Sequence, residues 1–310
     1  MKKVLVTGGT GFIGNYLVRQ LLSLGVEVLV IDKSIHRPTY FDISKAELIE
    51  GDVLSQGLLR QCLEQVDTCF HLAAILSFTV CARDWLFSHA NNVLAFNGLL
   101  EELRRASHPV KLVYASSCAV YGDSKDLPSS ESHKTSPLTS YGADKLSNEI
   151  YAQVMSNMYG INSIGLRIFN VYGPGQLESS SYAGVITFFK NAILKGQPVT
   201  IFGDGNQTRD FIYIDDVVQA LLAAAKKASS QSGIYNVCTG HPTSILGLAE
   251  LMMKLSGKKV PIIHQPARPG DPYHSLGDNF LAEKELGFTP LTSIEPGLAS
   301  LFTDSANKPS

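Results

Sequence analysis

Long apolar runs are missing: no stretch of the chain approaches the roughly 18 uninterrupted hydrophobic residues that a membrane span needs, so no membrane segment is expected. An excess of either charge is missing too. Lys plus Arg number 26 against 28 Asp plus Glu, a net charge of −2, which excludes a chain built to neutralise nucleic acid. Any anion must be held by a few placed groups. The five cysteines, Cys62, Cys69, Cys81, Cys118 and Cys238, never fall in C-x-x-C spacing. Neither a disulfide framework nor a metal site is indicated, and Cys62, Cys69 and Cys238 read as small core hydrophobes. With only 17% charged and 45% hydrophobic residues the composition is that of a folded chain. The opening MKKVLVTGGTGFIG turns Gly-rich where a signal peptide would continue apolar, so a cytoplasmic location is expected.

What is present first is a rhythm. β-branched runs alternate with amphipathic stretches: strands over Lys3–Thr7, Glu27–Asp32, Asp67–Ala73, Val110–Ser116 and Ser163–Phe169, with helices over Gly11–Leu24, Ser55–Gln65, Asp84–Ala106 and Tyr141–Gly160. Alternation of this kind predicts an α/β fold, a doubly wound parallel sheet covered by helices on both faces. After about Asn170 the pattern loosens, and helices return at Asp215–Ala228 and Ser244–Ser256. At 310 residues the chain outgrows a single core. Residues 1–170 are expected to form one domain. Residues 171–310 are expected to form mainly a smaller mixed α/β lobe, with some segments returning to the first.

Within TGGTGFIG, Gly8, Gly11 and Gly14 follow the first strand and open the first helix. Glycines there let the backbone turn sharply and approach a pyrophosphate, whose charge then sits at the helix N-terminus. Asp32 ends the second strand, where a carboxylate can accept both ribose hydroxyls of an adenosine and repel a 2′-phosphate; this favours NAD over NADP, with Arg37 as the nearby group that weakens the preference. Asp52 in EGDV either reaches the adenine amine or caps a turn. Tyr141 and Lys145 stand four residues apart on a helix, on one face. An ammonium beside a phenol favours the phenolate and makes Tyr141 a usable base. Ser117, at the C-terminal end of a strand, can share the substrate oxygen.

Taken with HLAA (His71 to Ala74), Asn92, YASSCAVYG, SPLTSYGADKLSNE, RIFNVYGPGQ, GDGNQTRDFIYIDDV and RPGD, these residues make the chain resemble the extended short-chain dehydrogenase/reductases of the NAD-dependent sugar-nucleotide epimerase/dehydratase family. The likeness spans nearly the whole sequence and is nearest to the UDP-glucose and UDP-N-acetylglucosamine 4-epimerases. It implies a Rossmann-type fold, a catalytic Ser117–Tyr141–Lys145 triad and NAD held by Gly8, Gly11, Phe12, Ile13, Gly14, Asp32, Asp52, Val53, Leu72, Ala73, Ala74, Asn92, Tyr141 and Lys145. The family's usual Gly-Thr is Ala95-Phe96 here, and the loop ILSFTVCARDW is atypical.

The same resemblance implies a nucleotide-diphosphate sugar as substrate. Arg209 and Arg268 correspond to the pyrophosphate arginines, Asn170 to a substrate amide, Asp271 to an acid near the ribose, and Val199 to Phe202 to the edge that receives uracil. A UDP-sugar is therefore favoured over GDP- and dTDP-sugars. Family dehydratases and decarboxylases carry acid/base carboxyls after the serine, where this chain has Cys118 and Ala119. A 4-epimerase needs none. Cys118 is either filler or a thiol acid/base for a neighbouring carbon, which leaves other sugar-nucleotide chemistry as the alternative; a non-catalytic NAD-sensing protein is the alternative from another class. Ser275, seven residues past Arg268, occupies the place of a bulky tyrosine in narrow-pocket epimerases, and SYAGVITFF resembles a loop of N-acetylhexosamine epimerases. Both admit an N-acetylated sugar. A homodimer through Asp84–Ala106 and Tyr141–Gly160 is also implied.

Overall fold

Strands such as KVLVT and EVLVID are apolar at successive positions, so the sheet they build needs helices over both faces. A computed structural model describes residues 1–76, 78–176, 184–228, 232–268 and 270–303 and shows that arrangement. The chain opens with β1 (Lys3–Thr7), α1 (Phe12–Ser23), β2 (Glu27–Asp32), β3 (Glu47–Glu50), α2 (Gln56–Leu63) and β4 (Thr68–His71). It continues through α3 (Phe78–Arg83), α4 (Trp85–His89), α5 (Ala95–Arg105), β5 (Lys111–Ser117), α6 (Ser140–Tyr159) and β6 (Ser163–Ile168). Next come β7 (Asn170–Tyr172), α7 (Val185–Lys195), β8 (Val199–Phe202), β9 (Thr208–Tyr213), α8 (Ile214–Lys227) and β10 (Gly233–Val237). The last elements are β11 (Pro242–Ser244), α9 (Ile245–Ser256), β12 (Ile262–Gln265), β13 (His274–Ser275), α10 (Phe280–Leu286) and α11 (Ile294–Thr303).

Seven strands pair in parallel in the order β10-β6-β5-β4-β1-β2-β3. The order reverses between β1 and β4, and the crevice outside their C-terminal ends is where such a sheet receives a ligand. Alternate residues feed two cores. Val4, Val6, Phe70 and Val113 pack with Leu17 and Leu21 of α1 and Val217 and Leu221 of α8. Leu5, Leu29, Cys69 and Leu112 pack with Leu59 of α2 and Phe96 and Leu99 of α5. The large sheet draws β10 and the covering helix α8 from beyond residue 170. A third cluster, with Phe189, Val199, Ile201, Leu248 and Leu298, underlies a small sheet of β7, β9, β11 and β13 and the β8–β12 pair.

The helix expected over Asp84–Ala106 is not continuous. A π-turn at Ala90–Leu94 separates α4 from α5. Within it the Asn91 side-chain amide donates to the Phe87 carbonyl at 2.8 Å, a side-chain bond back onto the preceding turn. Turns of this kind concentrate at functional sites, and this one buries both Asn91 and Asn92.

Helix α6 is capped at its start by Thr139, whose hydroxyl accepts from the Gly142 N–H, and it ends on Gly160 in the left-handed conformation. Its inward face is polar. Glu149 is fastened to the sheet by Arg167 of β6 through two hydrogen bonds of 3.0 and 2.8 Å, and Ser116 donates to the same carboxylate. Arg167 also donates to the Tyr121 hydroxyl at 2.9 Å, and both charged side chains are almost fully buried. Removing one partner leaves a buried charge unpaired. Arg167→Met should therefore cost about 3–5 kcal/mol in urea denaturation, and the Arg167→Met/Glu149→Met pair should recover most of it.

Candidate active site

The C-terminal ends of β1 and β4 frame a cavity of about 560 Å³ walled by the Gly-rich turn, Asp32, Leu72 to Ile75, Ser117, Tyr141, Lys145 and Asn170. Its floor is backbone. Gly8 has φ +74°, and a Cβ there would lie 2.8 Å from the Ala73 nitrogen, while a Cβ on Gly14 would run into the Gly8 carbonyl. Helix α1 starts at Gly11 without any side-chain cap, so its first N–H groups remain for a ligand. Close backbone approach together with an uncapped N-terminus fits the pyrophosphate of a dinucleotide. Phe12, Ile13, Ala74 and Val53 complete this part of the wall.

Asp32 accepts hydrogen bonds from the Thr10 N–H at 3.2 Å and from Arg37 Nη2 at 2.9 Å. Arg37 thus lies across the Gly-rich turn and neutralises the carboxylate. Asp52 is engaged differently from a ligand contact: it caps Leu54 N–H at 3.0 Å and pairs with Lys33 at 3.0 Å, while its neighbours Gly51 and Val53 line the cavity. Asn92 stands behind the wall. Its side chain accepts from Ile75 N–H at 2.7 Å and donates to Ile75 O at 3.0 Å, and so clamps a residue that lines the cavity. Asn91 lines the cavity instead, tied to Lys33 by a 2.6 Å hydrogen bond. No pattern in the sequence distinguishes the two asparagines, because the π-turn decides which way each faces. Tyr40 is a further wall residue without a sequence signal, and Gln176, at the end of RIFNVYGPGQ, lines the wall as well.

At the other end β5 delivers Ser117 and α6 delivers Tyr141 and Lys145. Ser117 and Tyr141 line the same cavity, and Lys145 Nζ donates to Ala115 O at 2.7 Å and lies 5.8 Å from the Tyr141 ring centre. The spacing brings the three together as expected, but the electrostatics correct one expectation. Burial raises the Tyr141 phenol above its ordinary range, with the neighbouring Ser117 hydroxyl opposing it, so the ammonium does not by itself produce a phenolate. Burial also lowers Lys145, to about 8, against the opposing charges of Asp144 and Glu149. His71 is brought down to about 3 by burial and is neutral, its Nδ1 2.9 Å from the Thr7 hydroxyl. The Cys118 thiol is pushed up to about 11 by burial, with the neighbouring Ser275 hydroxyl foremost among the groups opposing it, so it stays protonated. It is no ready base.

Asn170 lines the cavity and donates to Asp210 O at 3.0 Å. The remaining candidates gather outside the wall, around β8, β9 and β13. Arg209 is buried and its guanidinium is held by the Asp271 carboxylate and by Thr208 O at 2.8 Å. Asp271 is therefore a partner of Arg209. Arg268 lies over the Phe202 ring, 3.8 Å from its centre. Val199 is wholly buried in the third cluster, so its side chain is core, contrary to expectation. Residues 181–183 of SYAGVITFF lie outside the described residues.

A doubly wound sheet with a Gly-rich turn at its switch point, facing a serine, a tyrosine and a lysine across one cavity, defines a dinucleotide-dependent enzyme of the short-chain dehydrogenase/reductase kind. A profile of the NAD dependent epimerase/dehydratase family matches residues 4–238, and the chain belongs to that family. It is 34% identical over 297 residues to a protein of Methanocaldococcus jannaschii named as a putative UDP-glucose 4-epimerase, covering 95% of each chain. A UDP-N-acetylglucosamine 4-epimerase from Methanobrevibacter ruminantium, in complex with UDP-N-acetylmuramic acid, superimposes with a TM-score of 0.91 at 32% identity, over 98% of this chain and 99% of that one. A UDP-glucuronic acid 4-epimerase from Bacillus cereus, bound to UDP-glucuronic acid and NAD, does so with a TM-score of 0.87 at 31% identity, over 97% and 98%.

Because the Gly14 position has no room beside the Gly8 carbonyl, Gly14→Ala should displace the turn and strip the purified protein of NAD. Absorbance and chromatography of the nucleotide released on denaturation would measure it, and full NAD occupancy would contradict the fit.

Proposed function

We propose that the protein is a UDP-sugar 4-epimerase that uses NAD and acts on a UDP-hexose or UDP-N-acetylhexosamine through a transient 4-keto sugar. One observation carries this reading: among the described residues lining the cavity, Asp32 is the only carboxylate, and it stands at the end away from Tyr141. Eliminating the C6 hydroxyl would need an acid and a base beside C5 and C6. The residues after Ser117 offer only a protonated thiol and Ala119. Removing a hydride from C4 and returning it to the other face needs no such groups.

Bound in the cavity, NAD supplies the acceptor and return donor of that hydride. Tyr141 takes the C4 hydroxyl proton and gives it back, Ser117 hydrogen-bonds the same oxygen, and the Lys145 ammonium offsets the charge that appears on the phenol. Asn170, Arg209 and Arg268 are assigned to the nucleotide end, where guanidinium groups suit a diphosphate. Ser275, on β13 near Cys118, puts a small side chain next to the sugar site and supports an N-acetylated substrate. Trp85, Leu86, Phe87 and Leu94 are exposed before and within the π-turn, as are Ile150, Tyr151, Val154 and Met158 on α6. Apolar exposure of this extent supports a homodimer across these helices. No helix among the described residues is long and apolar enough to cross a membrane, and we assign the enzyme to the cytoplasm.

Purified protein without added reductant should interconvert UDP-GlcNAc and UDP-GalNAc, or UDP-Glc and UDP-Gal, with Tyr141→Phe lowering kcat at least about a hundredfold while NAD stays bound; stoichiometric NADH build-up would sink the assignment. Ser275→Tyr should lower kcat/KM for the N-acetylated pair by more than about tenfold and spare the non-acetylated pair, a loss on the scale of filling a pocket with one large side chain. Unchanged selectivity in that variant would remove Ser275 from the sugar site.

A further inference from the structure

One buried carboxylate beside the catalytic groups has no part in the chemistry above. Asp144 precedes Lys145 on α6 and is 4% exposed. His89 Nδ1 from α4 lies 2.7 Å from its Oδ1, and the Asn92 amide donates to its Oδ2 at 3.2 Å. Asn92 is the side chain that clamps Ile75 in the cavity wall, and its own carbonyl accepts from Asn148 of α6 at 3.0 Å. Trp85 stacks edge-on against the His89 ring. The carboxylate is thus gripped on both oxygens by the broken helix α4–α5, through the turn that departs from regular geometry.

We propose that Asp144 is a positioning residue for the epimerase reaction: held by His89 and Asn92, its carboxylate keeps a negative charge beside Lys145, so that the lysine is an ammonium when Tyr141 loses its proton. The proposal rests on the reaction assigned above. Besides Asp144, the groups facing Lys145 are Tyr141 and Glu149 on α6 and His71 on β4. Glu149 is committed to Arg167, and His71 is neutral. Among the described residues Asp144 is therefore the carboxylate beside Lys145 that is paired with no lysine or arginine, its ionisable partner being His89. Cys81 of α3 and Tyr141 also feel its charge. With burial lowering Lys145 to about 8, and Asp144 the foremost of the charges opposing that fall, removing the carboxylate should bring the lysine lower still.

The sign follows. An ammonium is present below its pKa and lost above it, so losing Asp144 should begin the alkaline decline of kcat at lower pH. The test uses the NAD-loaded enzyme and Asp144→Asn, which removes the charge and keeps the shape, with Asp144→Ser as a second variant should the amide disturb folding. Two measurements are made across pH: kcat and KM for the UDP-sugar, and the Lys145 ¹³Cε resonance in enzyme biosynthetically labelled with ¹³Cε-lysine, assigned by Lys145→Arg, which needs no reagent to reach a buried side chain. In both variants the alkaline limb of kcat and the Lys145 titration midpoint should fall together by roughly one unit, with KM within about twofold. A midpoint unmoved in the folded variants would overturn the proposal, as would an equal loss of kcat at every pH. Absence of epimerase turnover in the wild-type enzyme would overturn the reaction reading, while the titration midpoint decides the role of Asp144 independently.

Discussion

Helix α6 buries Asp144, Lys145, Asn148 and Glu149 within six residues of one another, and it can do so only because the sheet and the neighbouring helices meet those charges. Burying an ionised side chain without partners costs far more than any packing beneath it returns. Glu149 is met by Arg167 and Ser116, Lys145 by the Ala115 carbonyl, Asp144 by His89 and Asn92. These bonds reach β5, β6, α4 and the π-turn. They set the height and rotation of the helix over the sheet, and with them the position of Tyr141. A hydrophobic helix face would tolerate small slips; this one would leave a charge unpaired for each.

The opposite end of the cavity is organised without charge. Gly8, Gly11 and Gly14 offer backbone N–H groups at an uncapped helix start, which is how a chain of net charge −2 can receive a phosphate group. Cations are scarce there and already engaged: Arg37 by Asp32, Lys33 by Asp52 and Asn91. In the small lobe Arg209 is likewise engaged by Asp271. A substrate diphosphate contacting Arg209 must therefore compete with a carboxylate already in place, which favours ligands that offer more than one oxygen to the guanidinium fork.

Those features were unevenly legible in the sequence. Local signals sufficed where the physics is local: β1, β2 and the Gly-rich turn follow from apolar runs and glycine spacing, and Tyr141 and Lys145 from the helical period. Contacts between distant segments left no such mark. Strand β10 is five residues, GIYNV, beyond a turn-rich region, and only pairing with β6 makes it the edge of the large sheet. At the π-turn it is Asn91 that lines the cavity, while Asn92, expected to hold the cofactor, clamps Ile75 behind the wall. Val199 read as a ligand edge, yet its alternation with Thr200 places it in the core of the small lobe.

Burial acts on Tyr141 and Lys145 in the same sense. It raises the phenol of Tyr141 and lowers the ammonium of Lys145, since each charged form is the one that loses solvation. A phenolate beside a neutral amine would be disfavoured in such a site, and so would an ammonium with no negative charge near it. The phenolate and the ammonium together stabilise each other, so the two titrations are coupled and belong to the pair. In the proposed reaction the charged pair forms when a substrate hydroxyl proton is moved and is dissolved when it returns. Burial keeps Tyr141 in the protonated phenol state until then, with Ser117 on the wall of the same cavity.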